Sequence, residues 1–199
     1  MTLATGNKYL YSLPFLLCGL WFIGQGTYIH AKALLAQVLL QSAWAETLHG
    51  AKEVKPWPWA DTWPVSRLSV PSLGVSRIVL AGASGQSLAF GPGRLAVTGT
   101  GSGTFNILIA GHRDTHFRFL RQLKDGDLIR LQTDSGHILE FRVARMVIVD
   151  KRNTDLLQPG AEPLLTLITC YPFDAVQPGG PLRYVVQARL TGKRTGVKG

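Results

Sequence analysis

The chain has 199 residues, 46% hydrophobic and 17% charged, with 22 glycines, 11 prolines and two cysteines. That apolar content excludes a disordered chain. The lack of a G-x-y period excludes collagen, and two cysteines are too few for a disulfide scaffold or an all-cysteine zinc site.

A formal charge of +9 admits nucleic acid, an anionic membrane surface or an acidic partner. The bases are scattered, with Lys193, Arg194 and Lys198 in a terminal stretch that reads as a frayed basic tail (residues 191–199). No zinc-finger spacing or other nucleic-acid motif is present. Surface charge near a membrane is the better reading, and no nucleic-acid partner is expected.

From Tyr9 to Ile29 no side chain is charged (YLYSLPFLLCGLWFIGQGTYI). About 20 such residues cross a bilayer, and Tyr9, Tyr11, Trp21 and Tyr28 suit its aromatic interfaces. Pro14, Gly19, Gly24, Gln25 and Gly26 weaken a soluble helix but are tolerated in a span. The alternative is a cleaved signal peptide, for which Ala31-Lys32-Ala33 or Ala43-Trp44-Ala45 would serve as the small-residue site. The apolar stretch exceeds a signal peptide's core, so residues 1–30 are read as an uncleaved transmembrane anchor.

Residues 31–54 read as an amphipathic helical stalk, with Leu34, Leu35, Val38, Leu39, Trp44 and Leu48 approximating one apolar face. KPWPWADTWP, residues 55–64, is a boundary: Pro56, Pro58 and Pro64 fix φ and remove donors. Beyond it the chain is mostly β. Strands are expected at Val65–Val70, Val75–Leu80, Thr104–Ala110, Asp127–Thr133, Ile138–Val149, Leu164–Cys170 and Arg183–Leu190, with a short pairing at Leu95–Thr98. One helical piece, His116–Leu123, sets Phe119, Leu120 and Leu123 on one side. Seven or eight short strands imply a closed barrel or a sandwich.

Three strands end in reactive side chains. Asn106–Gly111 is apolar and delivers His112; Thr166–Thr169 leads to Cys170; and Arg183 opens a strand after a loop rich in Pro and Gly. A rigid scaffold places reactive groups at such strand ends. Cys18 falls in the apolar anchor and Cys170 in the globular part, so they cannot meet the roughly 7 Å Cα separation of a disulfide. Cys170 is then a free thiol.

A thiol, an imidazole and a guanidinium together permit acyl transfer. The thiol attacks an amide carbonyl, the imidazole protonates the leaving amine, and the guanidinium steadies the oxyanion. Taken singly, each has a plainer role: a structural histidine, an inert core thiol, a solvated strand arginine. Histidine and cysteine with Asp114 and His116 could also make a zinc site, although Asp114 suits capping of the short helix better.

GHRDTHF (Gly111–Phe117), TLITC (Thr166–Cys170) and the downstream Arg183 resemble the sortase signature. PWPWADTWPV, LAGASGQSLAFGPG, AGHRDTHFRFL and TCYPFDAVQPGGPLRYVV are similar to the proteobacterial group known as class GN sortases. The resemblance covers roughly residues 55 to 190. It implies a mainly β fold, the sortase-like closed eight-stranded β-barrel, and a membrane-anchored cysteine transpeptidase that cleaves an LPxTG-like C-terminal sorting motif and passes the acyl group to an amine or to water. By position it makes Cys170 the nucleophile, His112 the general acid/base and Arg183 the substrate and oxyanion binder.

The same resemblance sets the loop at residues 151–163 against the motif's Leu-Pro part, with Leu156 and Leu157 as an apolar floor. Thr169 and Tyr171 are expected at the substrate. The implied partners are an exported protein with such a tail, an amine acceptor and the inner membrane, with the catalytic domain periplasmic. Nothing resembles the clustered carboxylates that bind calcium in some sortases, so no metal or cofactor is expected. A tethered peptide-binding module and a purely hydrolytic cysteine peptidase are the other functions considered.

Overall fold

The computed structural model describes residues 8–99, 104–177 and 179–195; Lys198, read with the basic tail, lies outside them. Two compact units divide between Val38 and Leu39.

The first helix, α1, runs from Lys8 to Leu48 with Pro14 inside it. At 1.5 Å per residue, residues 8–38 of it, in the first unit, are longer than the roughly 30 Å of a bilayer core. Ser12–Leu48 is long and apolar enough to cross a membrane. In the first unit Phe15, Trp21, Phe22 and Ile23 are all exposed, as a lipid-facing helix would leave them.

The second unit takes up the helix at Leu39. Here Leu40, Ala43, Trp44 and Thr47 are buried, the i, i+3, i+4, i+7 stripe of a helix seated on a core. Leu40 and Trp44 pack on Ile78 and Leu80, with Leu48 and Phe90 at the margin. Arg67 lies over the Trp44 ring at 6.0 Å and donates to Gln41 Oε1 at 2.7 Å. Of the apolar face read in the sequence, Trp44 and Leu48 take part in this packing, while in the first unit Leu34, Leu35 and Val38 are exposed.

Eight strands follow: β1 (Pro64–Val70), β2 (Val75–Ala81), β3 (Gly93–Thr98), β4 (Asn106–Ala110), β5 (Leu128–Thr133), β6 (His137–Asp150), β7 (Leu164–Tyr171) and β8 (Leu182–Thr195). They close into a barrel in the order β1-β2-β3-β4-β7-β8-β6-β5, with β5 paired back to β1. The β2/β3 and β4/β7 pairs are parallel; the rest are antiparallel. Closure removes the free edges that open sheets must protect.

Alternation along the strands fills the barrel. Leu68, Val79, Ile109, Ile129, Phe141 and Leu165 are in the core and at most 0% exposed. The helical piece expected at His116–Leu123 is a 3-10 turn at Arg118–Gln122, and Phe119, Leu120 and Leu123 do turn inward together.

Two further features differ from the sequence reading. A short helix, α2 (Gly85–Phe90), is capped by Ser84, whose hydroxyl accepts from the Ser87 amide at 3.2 Å. β8 runs on to Thr195, with Lys193 paired to Leu139, so residues 191–195 belong to the sheet and not to a frayed tail.

Candidate active site

β7 and β8 pair in a register that sets Cys170 directly opposite Arg183. Cross-strand partners share a face, so the thiol and the guanidinium issue from one side of the sheet. On the other flank of β7, β4 runs parallel with Ala110 level with Ile168. Gly111 continues this alignment by donating to the Ile168 carbonyl at 3.1 Å. His112 follows directly after Gly111, two residues past the end of β4, as Cys170 lies two residues past Ile168 on β7. The register thus brings Cys170 and Arg183 together, and the chain reaches His112 just beyond the neighbouring β4. His112 is exposed and the other two are half-buried, which suits groups that must meet a peptide.

The backbone around His112 is held tightly. The Thr169 hydroxyl donates to the Gly111 carbonyl at 2.7 Å. A Cβ on Gly111 would lie 2.8 Å from Phe117 Cγ, and Phe117 is fully buried. The glycine of the GH pair is therefore required by packing.

Arg113 is a residue that sequence reasoning passed over. Its side chain is 4% exposed. Nη1 donates to the Pro172 carbonyl at 2.8 Å, Nη2 to the carbonyls of Ala175 and Gln177 (3.0 Å for the latter), and Nε to Asp114 Oδ1 at 3.2 Å. One guanidinium thus ties the segment after His112 to the segment after Cys170. Only its place between a histidine and an aspartate hinted at this. Asp114 is occupied by that pairing, and the 3-10 turn has no side-chain cap, which corrects the capping role expected for it.

Arg183 rests with Nη1 donating to the carbonyls of Gly180 (2.7 Å) and Leu182 (2.9 Å). Gly179 holds φ at +85°, a turn that glycine makes at no steric cost. Asp150 lies nearby: hydrogen bonds from Arg152 hold its carboxyl below the ordinary carboxylate range, with smaller help from Lys151 and Arg183. His116 is drawn down from the usual imidazole value, chiefly by burial, although the Ala89 carbonyl opposes this.

The expected substrate contacts divide. Thr169 and Tyr171 flank Cys170 on β7, and the two-residue alternation turns both to the strand's other face. Thr169 is 2% exposed, its hydroxyl engaged with Gly111. Tyr171 stacks on Tyr184 (6.3 Å, 22°) and meets Phe173 edge-on. Leu156 and Leu157 lie in a 3-10 turn (Asp155–Leu157) on the β6–β7 connection, both half-buried. Their carbonyls are bound from the sheet: Asn106 Nδ2 and Gln187 Nε2 donate to Leu156, and Thr98 Oγ1 to Leu157. The turn is thereby fastened on the face of β4, β7 and β8 that carries Cys170. Among the described residues no group of three or more His, Cys, Asp or Glu is gathered to hold a metal.

Comparison with known proteins gives a consistent result. The sortase domain family matches residues 68–191. Sortase D of Bacillus subtilis strain 168 is 32% identical over 124 residues, and the chain spans 61% of that curated relative's length, with 61% of its own length matched. Among solved structures, the catalytic domain of SrtD from B. anthracis is 34% identical with a TM-score of 0.55, covering 66% of this chain and 90% of that one. Sortase A of Listeria monocytogenes is 25% identical with a TM-score of 0.57, covering 65% and 88%.

Proposed function

The chain belongs to the sortase family, and from that premise we propose that it is a membrane-anchored cysteine transpeptidase acting on an LPxTG-like sorting signal. The observation that supports this reading is the register: Cys170 lies opposite Arg183 on β8, and β4, whose end leads into Gly111-His112, runs parallel to β7 on its other side.

The Cys170 thiol attacks the threonine carbonyl of the motif. The thiol's proton passes to His112, a thioester forms as the C–N bond breaks, and His112 gives a proton to the departing amine. Arg183 faces the carbonyl oxygen as it gains charge. To reach it, the guanidinium exchanges its Gly180 and Leu182 carbonyls for the substrate. An incoming amine then attacks the thioester and gives up a proton to His112, the C–S bond breaks as the new amide forms, and His112 returns a proton to the sulfur, restoring the thiol. Water in place of the amine gives hydrolysis.

The substrate is an exported protein with the motif near its carboxyl terminus. The apolar part of α1 supplies the anchor, in the inner membrane, with the barrel on the periplasmic side. The phrases shared with class GN sortases support placing the chain in that proteobacterial group.

The test uses the full chain in detergent micelles with LPxTG-like peptides and an amine acceptor. The expected result is a thioacyl adduct on Cys170 by mass spectrometry and ligated product when the amine is present. Cys170→Ala abolishes both. Replacing His112 or Arg183 by Ala costs about 10²–10³-fold in kcat. Full activity in Cys170→Ala would end the mechanism, hydrolysis without ligation would reduce the enzyme to a peptidase, and unchanged peptide would leave a binding module.

A further inference from the structure

The 3-10 turn at Asp155–Leu157 is fastened by side chains whose chemistry is otherwise unexplained. Asn106, the first residue of β4, is 0% exposed. Its Nδ2 donates to the carbonyls of Leu156 (3.3 Å) and Gln158 (3.2 Å). Its Oδ1 accepts from Thr166 Oγ1 at 2.7 Å, and Thr166 is equally buried. Gln187 Nε2 reaches the Leu156 carbonyl at 3.2 Å, and Thr98 Oγ1 reaches that of Leu157 at 3.2 Å. Three consecutive loop carbonyls are thus met by three side chains from β3, β4 and β8.

The orientation of the Asn106 amide is dictated by its surroundings. Two carbonyls need donors, so both N–H bonds of the amide point at the loop and the oxygen is left for the threonine hydroxyl. A buried amide placed without these partners would be strongly unfavourable. Leu108 lies outside the barrel core cluster yet is only 3% exposed.

We propose that Asn106 is a positioning residue that builds the β6–β7 wall of the peptide groove before substrate arrives. This rests on the transpeptidase reading of the same groove. The bonds go to loop backbone, so they set where Leu156 and Leu157 stand without dictating which side chains stand there. A wall built in advance loses no ordering entropy when the peptide binds. The clamp therefore acts on substrate affinity and on discrimination at the apolar position of the sorting signal. It acts less on the chemical step, because Asn106 lies at the opposite end of β4 from His112.

The decisive variant is Asn106→Asp, which keeps size and can still accept from Thr166 but sets a carboxylate against two carbonyls. Gln187→Ala is the gentler companion, removing one donor from a half-buried site. Backbone amide exchange is read first, on the full chain in detergent micelles without peptide. Exchange across residues 155–158 should quicken about tenfold or more in Asn106→Asp and less in Gln187→Ala, corresponding to the loss of one or two net hydrogen bonds. Steady-state kinetics follow on peptides with Leu or Ala at the first motif position. KM for the Leu peptide should rise about tenfold, kcat should change much less, and preference for Leu over Ala should shrink. Should Asn106→Asp fail to fold, Gln187→Ala carries the same comparison.

Unchanged exchange at 155–158 in the folded variants would overturn the clamp, as would faster exchange with KM and the Leu preference intact. If the wild-type chain processes no peptide at all, the transpeptidase reading falls by itself, and exchange still decides whether the clamp exists.

Discussion

The buried guanidinium of Arg113 allows a sharp test of how the site is assembled. Arg113→Met keeps the length and apolar bulk of the stem and removes all donors to Pro172, Ala175 and Gln177. Hydrogen bonds from a charged donor contribute roughly 1.5–3 kcal/mol each, so three would suggest about 4.5–9. Two corrections reduce this. Pro172 and Gln177 are exposed, so water takes over part of their bonding. The charge itself is costly to bury, and methionine relieves that. A local cost of about 2–4 kcal/mol remains, confined to the β7–β8 connection. It translates to about 30- to 700-fold faster amide exchange over residues 173–177, at 1.4 kcal/mol per tenfold, while β1 and β2 exchange as before. His112 is the adjoining residue, so kcat/KM should fall about 10²-fold through lost alignment. Arg113→Lys keeps the charge but not the fork, and should recover only part of either effect. Wild-type exchange in this loop for Arg113→Met, or unaltered kcat/KM, would refute the claim that one side chain locks both flanks of the site.

Three further outcomes follow from other contacts. Trp44→Ala should destabilise the second unit by about 3–5 kcal/mol in urea unfolding, because a 1% exposed indole leaves a cavity against Ile78 and Leu80; by the same packing, a fragment beginning at residue 39 should melt well above one beginning at residue 50. Gly111→Ala should lose activity out of proportion to its added methyl, since the new Cβ falls 2.8 Å from a buried Phe117 and the backbone carrying His112 must shift, and a crystal structure or NMR spectrum of the variant checks the displacement. His116 titrates below its ordinary 6.5, mainly through burial, so the unfolded chain binds its proton more tightly than the folded one. Stability should therefore decline as pH falls below about 6.5 and stop declining on this account below the folded pKa. Urea midpoints at pH 7.5 and 5.5 should converge in His116→Gln relative to wild type.

The barrel was legible in the sequence because its strands are bounded by Gly, Pro, Asp and Ser and alternate between Val, Ile or Leu and polar residues. Period-two patterning survives without knowledge of the neighbours. The stalk's buried face was less legible. Leucines and alanines occupy nearly every side of residues 34–44, so composition alone does not choose among faces; Trp44 against Ile78 and Leu80 does. The short helix at Gly85–Phe90 was missed because six residues give no period, and its start rests on one serine cap.

At the site, the three residues read from the sequence lie at or just past strand ends, and the register pairs two of them, Cys170 and Arg183. A strand end is a place the sequence marks, by the switch from apolar run to loop. The neighbours of Cys170 were harder. Thr169 and Tyr171 adjoin the thiol along the chain, but a strand presents alternate residues to opposite faces, so adjacency there is evidence of separation. The thiol's cross-strand partner, Arg183, comes from β8, 13 positions away, and only register reveals it. Arg113 and Asn106 illustrate the same limit from the other side. Each donates to backbone carbonyls distant in sequence, and a carbonyl has no residue identity to read. Side chains that act on side chains leave a motif; those that act on backbone leave only an unexpectedly buried polar residue, visible once the chain is folded. The residues that shape this site's loops are therefore to be sought among buried polar groups with loop carbonyls as partners, and the exchange measurements on residues 155–158 and 173–177 test that rule at two independent places.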